Sequence, residues 1–149
     1  SGLEKIKFLI APNPGEGFKP LTKIASGGET SRLMLALKNV LAKADHIPTR
    51  IFDEIDQGIG GRVGATVGQK LWQLGRHHQV MCVTHLPQVA AAGDQQWQVS
   101  KSAANGKVAS TVTILDQNAR IEEVARMLGG LKITETTRKH AAEMLHLKK

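Results

Sequence analysis

The feature that most constrains this chain is a pair of short apolar segments, each running into polar residues, with an amphipathic stretch between them. Arg50-Ile51-Phe52 runs into Asp53-Glu54, and Gln79 to Thr84 runs into His85-Leu86-Pro87. Between them Val63, Val67, Leu71 and Leu74 recur at intervals of four, four and three, the period of a helix with one buried face. Gly64 and Gly68 lie on a neighbouring face, where they allow close packing. Strands alternating with helices predict an α/β protein whose sheet is largely parallel and flanked by helices.

The rest of the chain extends this pattern. Ile6 to Ala11 predicts a strand ending at Pro12-Asn13-Pro14-Gly15-Glu16-Gly17, a loop by its proline and glycine chemistry. Ser26-Gly27-Gly28-Glu29 opens a helix, with Leu33, Leu37, Val40 and Leu41 as the expected buried stripe and an end near Ala44, before Pro48. The segment Gln79 to Thr84 is expected to be buried, and Pro87 suits the first turn of a short helix. Gln96 to Lys101 and Val108 to Leu115 flank Asn105-Gly106, so an antiparallel hairpin is added late in the chain. Ile121, Val124, Ala125 and Leu128 mark a helix stopped by Gly129-Gly130. A last helix starts near Thr134 or Thr136 and carries Ala141 and Leu145.

At 149 residues and 41% apolar content the chain has the size and composition of one globular domain. Its apolar runs are far shorter than the roughly 18–20 residues of a membrane helix, and no secretory leader is legible, so no membrane and a cytoplasmic location are expected. Cys82 is the sole cysteine, which excludes an intramolecular disulfide or a multi-cysteine zinc site. Charge is uneven: residues 1–50 carry eight basic and four acidic side chains, residues 51–100 three and four, and residues 101–149 nine and five. Basic flanks around a near-neutral centre are compatible with DNA phosphates as partners. Aromatic residues are only 3% of the chain, which argues against a stacking platform for single strands.

Four motifs are candidates for chemistry. Ser26-Gly27-Gly28-Glu29 reads either as a capping box or as a glycine-opened helix start that admits phosphate oxygens to free amides. Asp53-Glu54 delivers two carboxylates to a sheet edge, one suited to Mg2+ and the other to a water. His85, at a strand end, can donate to a phosphate oxygen. Asp56-Gln57-Gly58-Ile59-Gly60-Gly61 fails as a dinucleotide fingerprint, because Val63 holds the third glycine's place and no acid follows until Asp94. His77-His78 reads as a solvated turn, Cys82 as core, and Trp72 and Trp97 as packing residues.

The order of these pieces resembles the C-terminal half of an ABC-type ATPase head. Ala25-Ser26-Gly27-Gly28-Glu29 resembles the ABC signature, and Ile51-Phe52-Asp53-Glu54 resembles Walker B, 27 residues from Ser26 to Asp53. Asp56 sits where the D-loop lies, and His85, 31 residues after Glu54, where the switch histidine lies. Within that superfamily the chain is most similar to the RecN family of bacterial DNA repair proteins, relatives of the structural-maintenance-of-chromosomes (SMC) proteins. The stretches that carry this are Ala11-Pro12-Asn13-Pro14-Gly15-Glu16, Lys19-Pro20-Leu21, Ser26 to Arg32, Ile51 to Gly61, Val83 to Ala90 and Ala125 to Gly130. Thr30 stands where that family more often has an apolar residue.

The resemblance implies that residues 3–149 form the C-terminal lobe of a P-loop ATPase head, without the Walker A half and its coiled coil, since no Gly-x-x-x-x-Gly-Lys-Ser/Thr occurs here. It implies ATP and Mg2+ as cofactors, the N-terminal half of the same protein and a second head as partners, and ATP sandwiched between heads. Asp53 then supports the metal, Glu54 and His85 are catalytic, and Ser26, Gly27, Gly28, Glu29 and Asp56 face nucleotide across the head pair. The implied process is DNA double-strand break repair by recombination, with the segment alone inactive. The alternatives are a non-enzymatic basic DNA- or partner-binding module, or another ABC-family ATPase.

Overall fold

A computed structural model describes residues 2–4, 6–11, 15, 17–23, 27–42, 46–104, 107–130 and 132–146. Its centre is the expected strand–helix–strand unit. Strand β3 (Thr49–Phe52) turns Arg50 and Phe52 inward and Thr49 and Ile51 outward, the alternation of a sheet covered on one face. Helix α2 (Gly61–Gly75) buries Val67, Leu71 and Leu74, while Val63 at its first turn stays half exposed. Strand β4 (Gln79–Cys82) returns parallel to β3, with Arg50 opposite Val80 and Phe52 opposite Cys82.

Helix α3 (Pro87–Ala92) begins with Pro87 at its first turn, as the sequence predicts, and lies directly on α2. The approach depends on the two α2 glycines. A Cβ at Gly68 would stand 2.9 Å from Ala92 Cβ and 3.0 Å from the Gln88 carbonyl, and one at Gly64 would meet Leu86 Cδ1 at 2.9 Å. Leu35, Phe52, Ile55, Val67, Leu71, Leu74 and Val89 form the core of this half.

Helices α4 (Gln117–Gly129) and α5 (Glu135–His146) build a second core, in which Val124, Ala125, Ala141 and Leu145 pack with Ala91 of α3. Asp116 caps α4 by accepting from the Ala119 amide at 2.8 Å, and Gly130 ends it at φ +61°. Thr134 accepts from the Thr137 amide at 3.2 Å, which starts α5. Buried Arg120 ties α4 to the end of α3, donating to the carbonyls of Gly93 (2.7 Å) and Asp94 (3.1 Å). Strands β5 (Trp97–Ala104) and β6 (Lys107–Ile114) pair antiparallel in the expected hairpin, whose Asn105-Gly106 lies outside the described residues.

Several expectations change. Among the described residues parallel pairing is confined to β3–β4; the hairpin and the short pair β1 (Leu9–Ile10) and β2 (Lys19–Pro20) are antiparallel. Strand Ile6 to Ala11 shrinks to β1. In helix α1 (Gly27–Val40) the stripe Leu33, Leu37, Val40 and Leu41 does not form the core face: Leu37, Val40 and Leu41 are 42%, 82% and 52% exposed, and Leu35 is buried instead. The inward face runs through Gly28, Ser31, Arg32, Leu35 and Ala42, because Ser31 and Arg32 are hydrogen-bonded to the loop after β3. Met81 and Val83 are exposed because helix α2 covers only the other face of β3–β4. Trp97 is half exposed on the hairpin rather than packed. His78 is no solvated turn residue, since its ring nitrogens lie 3.1 and 3.0 Å from the carbonyls of Ile47 and Ala42.

Candidate functional site

The loop that follows β3 organises every described candidate residue. Asp53 ends the strand with its side chain exposed, and its Oδ1 accepts from the Glu54 amide at 2.9 Å. Glu54 then takes φ +55°, the left-handed region, at a cost of about 1 kcal/mol for a residue with a side chain. Its amide-bonded turn, closed by Gln57 N–H donating to the Glu54 carbonyl at 3.1 Å, swings the chain back toward α1. The Glu54 carboxylate comes to lie against the first turn of α1: a Cβ built on Gly27 would stand 2.9 Å from Oε2.

Gly28 is buried against the same loop. A Cβ there would meet the Gln57 carbonyl at 2.7 Å and Arg32 Nη1 at 2.9 Å. The space beside both glycines is therefore filled from within the chain, by Glu54 at one and by Gln57 and Arg32 at the other. Ser31 Oγ donates to the Asp53 carbonyl at 3.2 Å, and Arg32 Nη1 donates to the carbonyls of Ile55 (3.2 Å) and Gln57 (2.9 Å). Ser26, and with it the capping-box question, lies outside the described residues, and Glu29 is exposed on the first turn of α1.

Asp56 turns inward from the same loop. Its side chain is buried and turned onto the end of β4, where it accepts from the Thr84 hydroxyl, the His85 amide (2.9 Å) and the Leu86 amide (3.2 Å). His85 Nδ1 also lies 3.2 Å from Asp56 Oδ2, while the ring is 70% exposed. Burial alone would push this carboxyl up. The Thr84 hydroxyl, the His85 amide, the charge of the His85 ring and the Leu86 amide outweigh it and hold the group below its ordinary range. Asp56 thus fixes where His85 stands and which ring nitrogen faces out. Cys82 is partly buried against the core rather than within it, and burial, with Asp56 and Asp53 nearby, pushes its thiol up to about 12.

The fold thus brings the predicted residues together in two groups joined by one short loop: Glu54 with Gly27 and Gly28, and Asp56 with His85. Asp53 and His85 both present exposed side chains at the ends of the paired parallel strands, the edge at which open α/β sheets bind ligands. Arg32 and Thr84 take roles that depend on distant partners; a basic residue one turn beyond Gly28 on the same helix face is the legible sign of the first. One exposed carboxylate at Asp53 fits Mg2+, which is commonly bound by one or two carboxylates, with phosphates and water supplying the rest. Among the described residues no three His, Cys, Asp or Glu side chains cluster as a metal site, and no helix is long and apolar enough to cross a membrane.

No protein-family model matches the chain. Curated relatives do: DNA repair protein RecN of Xylella fastidiosa is 51% identical over 145 residues, 97% of this chain and 26% of that protein. RecN of Vibrio cholerae is 47% identical over 144 residues and RecN of Bacillus subtilis 40% over 144, each covering 97% of this chain. The chain thus spans about a quarter of the length of the relatives it matches. A solved structure from work on ATP-driven dimerisation and DNA-stimulated activation of SMC ATPases is 20% identical with a TM-score of 0.53, over 83% of this chain and 81% of that one. At that identity the likeness shows the fold.

Proposed function

We propose that this chain, homologous to the C-terminal part of RecN DNA repair proteins, is the C-terminal half of an ATPase head that works in DNA double-strand break repair by recombination. The observation that carries the reading is the meeting of Asp53, Glu54, Asp56 and His85 around one loop beside the glycine-opened start of α1. Residues 3–149 complete a head only with the N-terminal half of the same protein, and two heads enclose ATP between them.

In this reading Asp53 holds Mg2+, directly or through water. The metal, when bound, withdraws charge from the phosphates. Glu54 orients the attacking water and accepts its proton. His85, steadied by Asp56, donates to the γ-phosphate. Ser26, Gly27, Gly28 and Glu29 present the N-terminal turn of α1 to nucleotide held by a second head, where free amides favour an anion. Asp56 serves this chemistry from within its own chain, as a positioning residue. The basic flanks supply phosphate contacts to DNA.

The test is Glu54→Gln in a full-length protein carrying this segment. Losing the proton acceptor should slow ATP hydrolysis by about 100-fold or more, while ATP still drives pairing of heads in light scattering. Unchanged turnover would refute the catalytic assignment and favour the non-enzymatic binding module. A bulky residue at Gly28 is the poorer probe of pairing, because the space beside it is already occupied by Gln57 and Arg32.

A further inference from the structure

We infer that Arg32 is a positioning residue that couples the first turn of α1 to His85, an inference that rests on the ATPase reading above. Three consecutive alternate carbonyls of one loop are gripped by α1: Asp53 by Ser31, and Ile55 and Gln57 by the Arg32 guanidinium. The last two bracket Asp56. On the other side of that residue the carboxylate gathers Thr84, His85 and Leu86. The path from helix to imidazole is therefore four links long: guanidinium, loop backbone, carboxylate, ring.

Its middle is rigid. Ile55 and Asp56 are 0% and 2% exposed, so the loop cannot shift without repacking the core. A guanidinium suits the task because its planar fork fixes the direction of every bond, which an ammonium does not. Gly28 has its place in the same device. The Arg32 nitrogen and the Gln57 carbonyl occupy the volume that a side chain at Gly28 would need. The turn of α1 that faces the second head's nucleotide and the histidine that faces its own are thereby parts of one bracket. Docking of a partner on α1 changes the position of His85 through the Ile55–Gln57 segment.

Coupling of this kind is shown by non-additivity, not by proximity. The test uses the full-length protein and four chains: wild type, Arg32→Gln, His85→Ala and the double variant. Arg32→Gln should lower kcat about tenfold with KM for ATP changed less than about twofold, since nucleotide binding is left alone. Added to His85→Ala, it should cost nothing further. Multiplicative losses, wild-type kcat in Arg32→Gln, or a raised KM with kcat unchanged would each overturn the coupling. Arg32→Lys, which keeps the charge but lacks the planar group that fixes both bond directions, should fall between wild type and Arg32→Gln, and replaces it in the cycle if the Gln variant does not fold. A wild-type protein without ATP hydrolysis sinks the parent reading, and this one with it; an active wild type with multiplicative losses sinks only this one.

Discussion

The loop after β3 and the β5–β6 hairpin hold their shape by opposite means. In the loop, Ile55 and Asp56 are buried, and backbone carbonyls and the Asp56 carboxylate are bonded to groups more than twenty residues away. In the hairpin the ladder is local. Its cross-strand partners Trp97 and Ile114, Val99 and Val112, and Ala103 and Val108 share one face, and that face is open to solvent. The opposite face carries Gln98 with Thr113 and Ser100 with Thr111, and Gln98 is tied to Glu123 of α4 at 2.7 Å. A position fixed by distant partners transmits strain, whereas a self-paired ribbon absorbs it. The two regions should therefore answer substitution very differently.

The largest effect is expected where α2 packs on α3, at Gly68→Val. Its Cβ would press on Ala92 and on the backbone oxygen of Gln88, neither of which can move without lifting α3 and the turn that holds His85. Overpacking of this kind costs about 3 kcal/mol, read as a shift in urea midpoint at constant slope. A cost below that of ordinary surface changes would mean that α3 is not seated as described.

Next comes Asp56→Asn, at about 2 kcal/mol, because Thr84, His85 and Leu86 all donate to Oδ2, and an amide oxygen in its place accepts the same bonds without the charge that strengthens them. The two proteins should also differ in acid. The Asp56 carboxyl is held below its ordinary range, so its contribution is whole above about pH 4 and is lost as pH falls through the lower native value. The gap between wild type and variant should therefore close on acidification. A gap that stays constant down to pH 2 would show that the charge is not what holds the turn.

What was legible in the sequence divides along the same line. The α2 stripe from Val67 onward, the close-packing role of Gly64 and Gly68, the proline start of α3, the glycine end of α4 and the hairpin are local signals of period or turn chemistry, and each stands where it was expected. The face of α1 is not local. Leu33, Leu37, Val40 and Leu41 form as good an apolar stripe as any, but Ser31 and Arg32 bind carbonyls 22 to 25 residues away and turn the helix so that Leu35 goes inside. Asp56 was legible as an acid in a loop; that Thr84 to Leu86 would enclose it was not, because those residues lie 28 to 30 positions on. His78 fails for the same reason, bonded to carbonyls 31 and 36 residues before it.

The smallest effect is expected in the hairpin, and it sharpens the contrast most cheaply. Val99 and Val112 face each other across the strands, 64% and 56% exposed. Replacing both with Thr keeps the β-branched shape and the strand preference while removing apolar surface that this chain does not bury. The double variant Val99→Thr/Val112→Thr should stay within about 0.5 kcal/mol of wild type in urea unfolding. The result separates two causes of order. If the ribbon is held by its own ladder and turn, nothing changes, because neither backbone bonds nor register depend on those methyl groups. A loss comparable to Gly68→Val would mean that the exposed face is buried when the chain is in solution, and that the hairpin too is fixed by something distant in sequence or outside the chain.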